Sequence, residues 1–184
     1  MEALQLLLNR SSQPKLTAPA PAEEALENIK QAALRAPDHG NLKPWRFIVC
    51  EGKGLKRLGE IFEGAAIAEG RDEAMIQKAP QLPMRAPMVI VAIAHYTEHP
   101  KVPPIEQVSS TACAVHAMQM AAVAQGFQGI WRTGFLAESS FVKEALSCKD
   151  EDEIVGFLYL GTSTLKPMPK PPIDSAHYFT HWDA

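Results

Sequence analysis

The sequence predicts one domain of interleaved helices and strands, and three observations carry that expectation. At 184 residues and 46% hydrophobic, the chain is long enough for one well-buried core and short for two. Stripes at helical spacing, such as Leu55, Leu58 and Phe62, alternate with short continuous apolar runs such as Met88 to Ala94. No internal repeat or low-complexity linker divides the chain, so residues 1–184 read as a single unit whose last part, from about 162 to 184, is an extended proline-rich arm.

Taken in order, Glu2 to Asn9 is a short, greasy helix followed by Arg10, Ser11 and Ser12. The guanidinium fork, the hydroxyls and the backbone amides of that trio suit a phosphate, although Arg10 at a helix C-terminus also complements the helix dipole. Pro21 opens a second helix with Glu23 and Glu24 in its first turn, Leu26, Ile29 and Ala33 on one face, and Pro37 as its stop. Its last turn delivers Arg35 to a loop that runs to Arg46, around which the chain is organised. That loop offers Arg35, His39, Lys43 and Arg46 as donors, Asn41 as a two-sided amide and Asp38 as its one acid, with Gly40 and Asn41 tolerating positive backbone angles. Such a set suits an anionic or hydrogen-bond-rich planar ligand; the alternative is a solvated basic surface loop.

Phe47 to Val49 reads as a buried strand, and Lys53 to Ala79 as two helices broken near Gly70. Met88 to Ala94, preceded by Pro87, is apolar at every position and reads as a central strand buried on both faces. From an N-cap at Ser109 or Ser110 to Gln125 runs a helix rich in Ala and Met on nearly every face, closed by Gly126. One small subunit cannot cover such a helix, so the chain is expected to form an obligate homodimer through it, with His116 a satisfied core histidine. Gly126 to Gly134 carries three glycines around Ile130 and Trp131, which suggests a strand end approaching something flat, with Arg132 and Thr133 as donors; a plain β-turn is the alternative. It has neither dinucleotide-turn nor P-loop spacing. Glu138 to Leu146 is a short helix, Ile154 to Leu160 the last strand, and Pro167, Pro169, Pro171 and Pro172 with Lys166 and Lys170 make the arm.

Charge and motif content exclude several classes. A net charge of −3 and a pI near 6.1, with no basic tract, give no general attraction to nucleic acid. The start has no basic n-region and no run approaches a membrane span, which predicts a cytoplasmic protein without membrane contact. Cys50, Cys113 and Cys148 are widely spaced among apolar neighbours and read as reduced, buried thiols. His95 with His99, and His177 with His181, have helical spacing by chance, and no metal site is expected.

Four motifs in order resemble the FMN-dependent nitroreductase family, and within it the small YdjA-type members. They are Arg10-Ser11-Ser12; Arg35-Ala-Pro-Asp-His39 with Asn41-Leu-Lys-Pro-Trp45; Gly129-Ile-Trp-Arg-Thr-Gly134; and Ile154 to Gly161. The resemblance implies an α+β fold with a central, mostly antiparallel sheet packed by helices, in an intertwined homodimer with one FMN in each interfacial cleft. It implies that Arg10, Ser11 and Ser12 lie along the phosphate and ribityl side, that Arg35 and His39 make other flavin contacts with Asn41 nearby, and that Trp131, Arg132 and Thr133 pass near the ring. Two departures stand out: relatives keep a basic residue at the place of Pro14, one before Lys15, and Lys43 replaces a common Gln before Pro-Trp. The implied activity is ping-pong transfer from NADH or NADPH through flavin N5 to a nitroaromatic or quinone acceptor, with no catalytic side chain required. A flavin carrier or redox sensor, or a same-fold enzyme with one specific metabolite acceptor, are the rival readings.

Overall fold

The structure is a computed structural model that describes residues 2–165 and 170–182. Helix α1 (Ala3–Asn9) and α2 (Glu23–Ala33) precede strand β1 (Trp45–Glu51); α3 (Lys53–Ala68) and α4 (Glu73–Lys78) lead to β2 (Met88–Ala94). The long helix α5 (Pro104–Ala124), β3 (Gln128–Arg132), the short α6 (Phe135–Glu138) and α7 (Ser140–Ala145), and β4 (Glu153–Gly161) complete the order. The strands form one four-stranded sheet, β1-β2-β4-β3, in which every neighbouring pair is antiparallel. The fold is therefore α+β.

Strand β2 is central because its sequence allows nothing else: all seven residues are buried, and alternation sends them to two cores. Val89, Val91 and Ile93 join Phe62, Leu58, Val142 and Phe157 on one face, under α3, α6 and α7. Met88, Ile90 and Ala92 join Ile29, Ala33, Ala114, Met118 and Leu158 on the other, under α2 and α5. Between Ala92 and Ile93 the pairing with β4 slips by one residue, so Val155 bulges out beside Gly156.

Several expectations change here. Phe47 to Val49 form strand but are only half-buried, with Val49 38% exposed, because β1 is an edge of the sheet and has neighbours on one side only. The long helix starts at Pro104 and not after Ser109: Pro at the first helical position loses no hydrogen bond, and Glu106 favours the positive end of the dipole. The helix expected over Glu138 to Leu146 covers Ser140–Ala145, and Glu138 instead ends the separate helix α6, because Ser139 takes an extended conformation between them. Cys113 is exposed and Cys148 half-buried, so only Cys50 is a buried thiol. The part of the arm holding Lys166, Pro167 and Pro169 lies outside the described residues; residues 170–182 are exposed and contain one 3-10 turn, Ser175–His177.

Candidate functional site

The bare side of α5 organises the site. Ile105, Ser109, Cys113 and His116 follow one another at helical spacing on an exposed face, which buried Met120 interrupts before Ala124, while Ala114, Val115, Met118 and Ala122 on the opposite face are in the core. His116 is thus on the exposed side and not a core histidine; it takes part in two grooves that flank the helix.

The first is a cleft of about 410 Å³ between the end of α1, α5 and β3, lined by Arg10, Ser12, His116, Gln119, Trp131 and Thr133. What brings these together is one carbonyl. The Gly129 C=O accepts from the Gln13 backbone N–H at 3.1 Å and from Gln119 Nε2 at 3.1 Å, which ties the segment after α1 to β3 and to α5 at once. Gln13 Nε2 also donates to Ser11 Oγ at 2.9 Å. Gly129 is required there, because a Cβ would sit 2.9 Å from the Tyr159 carbonyl oxygen. Trp131 is fixed by its Nε1–H donating to the bulged Val155 C=O at 3.1 Å, and the indole occupies the space a Cβ on Gly156 would take, 2.3 Å from Nε1. Among the described residues that line it the cleft has no carboxylate, so donors and one aromatic face define its chemistry.

The second groove, about 540 Å³, runs between the last turn of α2 and α5 and is lined by Arg35, Ala36, Pro37, Cys113 and His116 among others. Arg35 therefore meets the open face on the other side of His116 from Arg10. The loop beyond it is built as its residues suggest: Gly40 and Asn41 have φ of +75° and +54°, and Lys43, unexpectedly, +51°. Asp38 holds the turn, its two oxygens accepting from the Leu42 N–H at 3.1 Å and the Lys43 N–H at 2.8 Å. Thr111 Oγ1 donates to the Pro44 C=O at 2.7 Å and anchors the loop to α5. Asn41 and Lys43 are exposed and His39 is held by Glu106 in the first turn of α5, Nδ1 to Oε2 2.6 Å, so neither Asn41 nor His39 lines the two grooves. Arg46 leaves the site altogether: its Nη2 donates to the Leu146 C=O at 2.8 Å and the Ser147 C=O at 3.2 Å, closing the end of α7.

Arg132 lies across β3 from Trp131. Its Nε is buried without a hydrogen-bond partner among the described residues, and its guanidinium carbon stands 5.8 Å from the centre of the Tyr159 ring. Burial pushes the Tyr159 phenol up to about 12 against the pull of Arg132 and Arg85, so it remains a neutral donor. Among the described residues no group of three or more His, Cys, Asp or Glu is placed to hold a metal, and no helix is long and apolar enough to cross a membrane. Sequence reasoning leaves Gln13 and Gln119 unassigned and gives His116 to the core; the one available signal is Gln119 set among Met and Ala in the second half of α5.

Solved structures share the whole fold. A nitroreductase-like family protein from Bacillus cereus superimposes with a TM-score of 0.87 at 20% identity, covering 100% of this chain and 97% of its own. A variant of the FMN and NADPH-dependent nitroreductase NfnB from sphigopyxis sp. strain HMH gives 0.78 at 16% identity, with both chains fully covered. The fold is that of nitroreductase-like proteins. In sequence, the nitroreductase family pattern matches residues 7–162, and the chain is 54% identical over 166 residues to the protein named "Putative NAD(P)H nitroreductase YdjA" of Escherichia coli (strain K12), covering 90% of this chain and 91% of that one. The chain belongs to the nitroreductase family and is an oxidoreductase.

Proposed function

We propose that the chain, acting as one nitroreductase-like domain in a homodimer, is an FMN-dependent NAD(P)H oxidoreductase whose acceptors are nitroaromatic or quinone-like. The observation that supports it most is the acid-free cleft in which Arg10, Ser12, His116, Gln119 and Thr133 converge on the Trp131 indole. The residues fit FMN: a guanidinium and hydroxyls for a phosphate, a flat wall for a ring, and no carboxylate to repel either. When bound, FMN supplies two-electron chemistry at N5, between a nicotinamide and an acceptor.

The protein's own groups have definite tasks in this reading. Arg10 and Ser12, with Ser11 beside them, hold the phosphate and ribityl chain. Trp131, locked by Val155, gives the ring a rigid wall and keeps water from it. Thr133 donates along the ring edge, and the orphaned Arg132 Nε offers positive potential near by, which favours negative charge developing on a ligand. Arg35, with His39 and Asn41 on the adjoining loop, meets the open face in a separate groove. A two-fold contact across α5 would carry that second group of one chain to the Arg10 group of the other, which is why the split supports a dimeric site. The family relative and NfnB carry names that point the same way.

The visible spectrum of the purified protein, reconstituted with FMN, tests the cofactor; anaerobic titration with NADH and with NADPH, then steady-state turnover with a quinone, tests the activity. Absence of FMN binding overturns the proposal. Binding without turnover would instead identify a carrier or sensor, and turnover restricted to one metabolite a dedicated enzyme.

A further inference from the structure

Gln119 is 3% exposed and stands between buried Met118 and Met120, yet it reaches the wall of the Arg10 cleft. A buried amide costs free energy unless both of its ends find partners. One end has one: Nε2 donates to the Gly129 C=O at 3.1 Å. A carbonyl can only accept, so the amide nitrogen must face Gly129 and Oε1 must point the other way. Oε1 makes no hydrogen bond among the described residues, where the buried side-chain atoms lacking a partner are Arg132 Nε and Ser139 Oγ. Oε1 is therefore not sealed in the core, and the open space that Gln119 borders is the cleft. Its place along the cleft is fixed from two sides. Gln13, next to Ser12, donates its backbone N–H to the same Gly129 carbonyl, and Trp131 follows two residues on in β3, where alternation returns it to the face of Gly129. Gln119 thus lies between the Arg10 and Ser12 end and the Trp131 and Thr133 end. Neither flanking group duplicates its oxygen: Arg10 only donates, and the Trp131 Nε1–H is engaged by the Val155 C=O.

We infer that Gln119 is a specificity-determining residue of the cofactor site, its Oε1 accepting a hydrogen bond from a hydroxyl of the polyol chain that joins phosphate to ring. The inference rests on the flavin reading above, which puts the phosphate at Arg10 and Ser12 and the ring against Trp131, so the chain between them falls beside Gln119. A hydroxyl is the matching partner because an amide oxygen only accepts, and the hydroxyls are the donors of that chain. A planar ligand joined to its phosphate by a plain alkyl chain would cover Oε1 and leave it unpaired, which costs more than the hydrogen bond contributes when made. Gln119 therefore selects for the hydroxylated linker. Its other tie, to β3, is less critical, since the Gly129 carbonyl also accepts from the Gln13 N–H.

Fluorescence titration of the flavin-free full chain with FMN and with its 2′-deoxy, 3′-deoxy and 4′-deoxy analogues reads the contact. One of the three analogues is expected to bind wild type at least about fivefold more weakly than FMN, and Gln119→Met and Gln119→Leu are expected to bind that analogue and FMN alike. A glutamine that only braces β3 would, when replaced, weaken all four ligands by one common factor and keep the analogue's deficit, and that result overturns the inference. So does wild type binding all three analogues as tightly as FMN, which needs no variant and stands even where neither variant folds. A wild-type protein that binds no FMN loses the flavin reading and this inference with it, whereas FMN bound without any analogue deficit removes this inference alone.

Discussion

The two faces of the sheet are built to different ends. Under α3, α6 and α7 the chain closes its own core: Phe62 and Phe157 meet edge to face at 5.0 Å between ring centres and neither touches water. Above α2 and α5 the inner layer is equally dry, but the outer one is left bare. No residue of α1 is buried, Leu4, Leu7 and Leu8 are 71%, 56% and 70% exposed, and Ile105 opens α5 at 68%. Every donor of the Arg10 cleft and the Arg35 groove adjoins that second face. One face is finished within the chain and sets stability; the other keeps apolar surface and ligand donors together, as expected where a second subunit and a ligand complete the layer.

The largest effect should come from breaking the closed face. Phe62→Ala deletes a fully buried ring and its partner contact, and is expected to cost about 3–5 kcal/mol in urea denaturation. A change on the open face should act through assembly. If a second copy covers α1 as proposed, Leu7→Ser with Leu8→Ser should lower stability by about 3 kcal/mol, on an area basis of roughly 1.5 kcal/mol or more per covered leucine, and should shift sedimentation toward monomer. The same pair leaving both mass and melting temperature untouched would mean that nothing covers α1.

The contrast also explains what the sequence made readable. Strand β2 is found to its ends, Met88 and Ala94, because continuous apolarity after Pro87 leaves no other structure, and the turn angles at Gly40 and Asn41 follow from residue type. Cleft residues Arg10, Ser12, Trp131 and Thr133 are visible as short polar groups at the ends of apolar elements. What stays hidden depends on distant partners. Arg46 looks like one more loop donor until the carbonyls of Leu146 and Ser147, a hundred residues on, are seen to hold it. His116 reads as core because its neighbours are apolar, yet its side of the helix lacks a cover within the chain. The start of α5 is obscured by Pro103 and Pro104, which resemble a loop and serve as a helix opening.

Ligand binding sharpens the comparison at the next magnitude. Arg10→Ala should weaken FMN by about 1.5–3 kcal/mol, with Arg10→Lys recovering only part because the planar fork is lost, and the urea midpoint of the apo protein should stay put. Unchanged FMN affinity would leave Arg10 a helix-end residue.

Acid should act on the seam between β2 and β4. Asp152 is fully buried; that burial works to raise its carboxyl, but the N–H groups of Lys149 and Tyr96 and the His95 ring outweigh it and hold it below the usual carboxylate range. A depressed carboxyl contributes stability above its unfolded pKa of about 3.9, and that contribution is lost as pH falls through the folded value. Wild type should therefore exceed Asp152→Asn by roughly 1.5 kcal/mol near pH 6. Below about pH 4 the gap should narrow. A constant gap from pH 6 to 3 would show that shape, not charge, matters there.

The smallest effect on stability, and the most informative about the open face, belongs to His39 and Glu106. Their side chains are 58% and 44% exposed, and such a pair stabilises a fold by less than about 1 kcal/mol, so melts of His39→Ala and Glu106→Gln should nearly overlay wild type. FMN affinity is where the pair should speak. The carboxylate engages Nδ1 and leaves Nε2 free for a ligand, so Glu106 can act on the flavin only by orienting the ring. Glu106→Gln should then weaken FMN less than His39→Ala does, and the double variant should bind as His39→Ala alone, the non-additivity of one residue acting through another. Additive losses would give Glu106 a contact of its own. No loss in any of the three would place His39 outside the site and leave Arg35 as the only member of that loop facing a ligand.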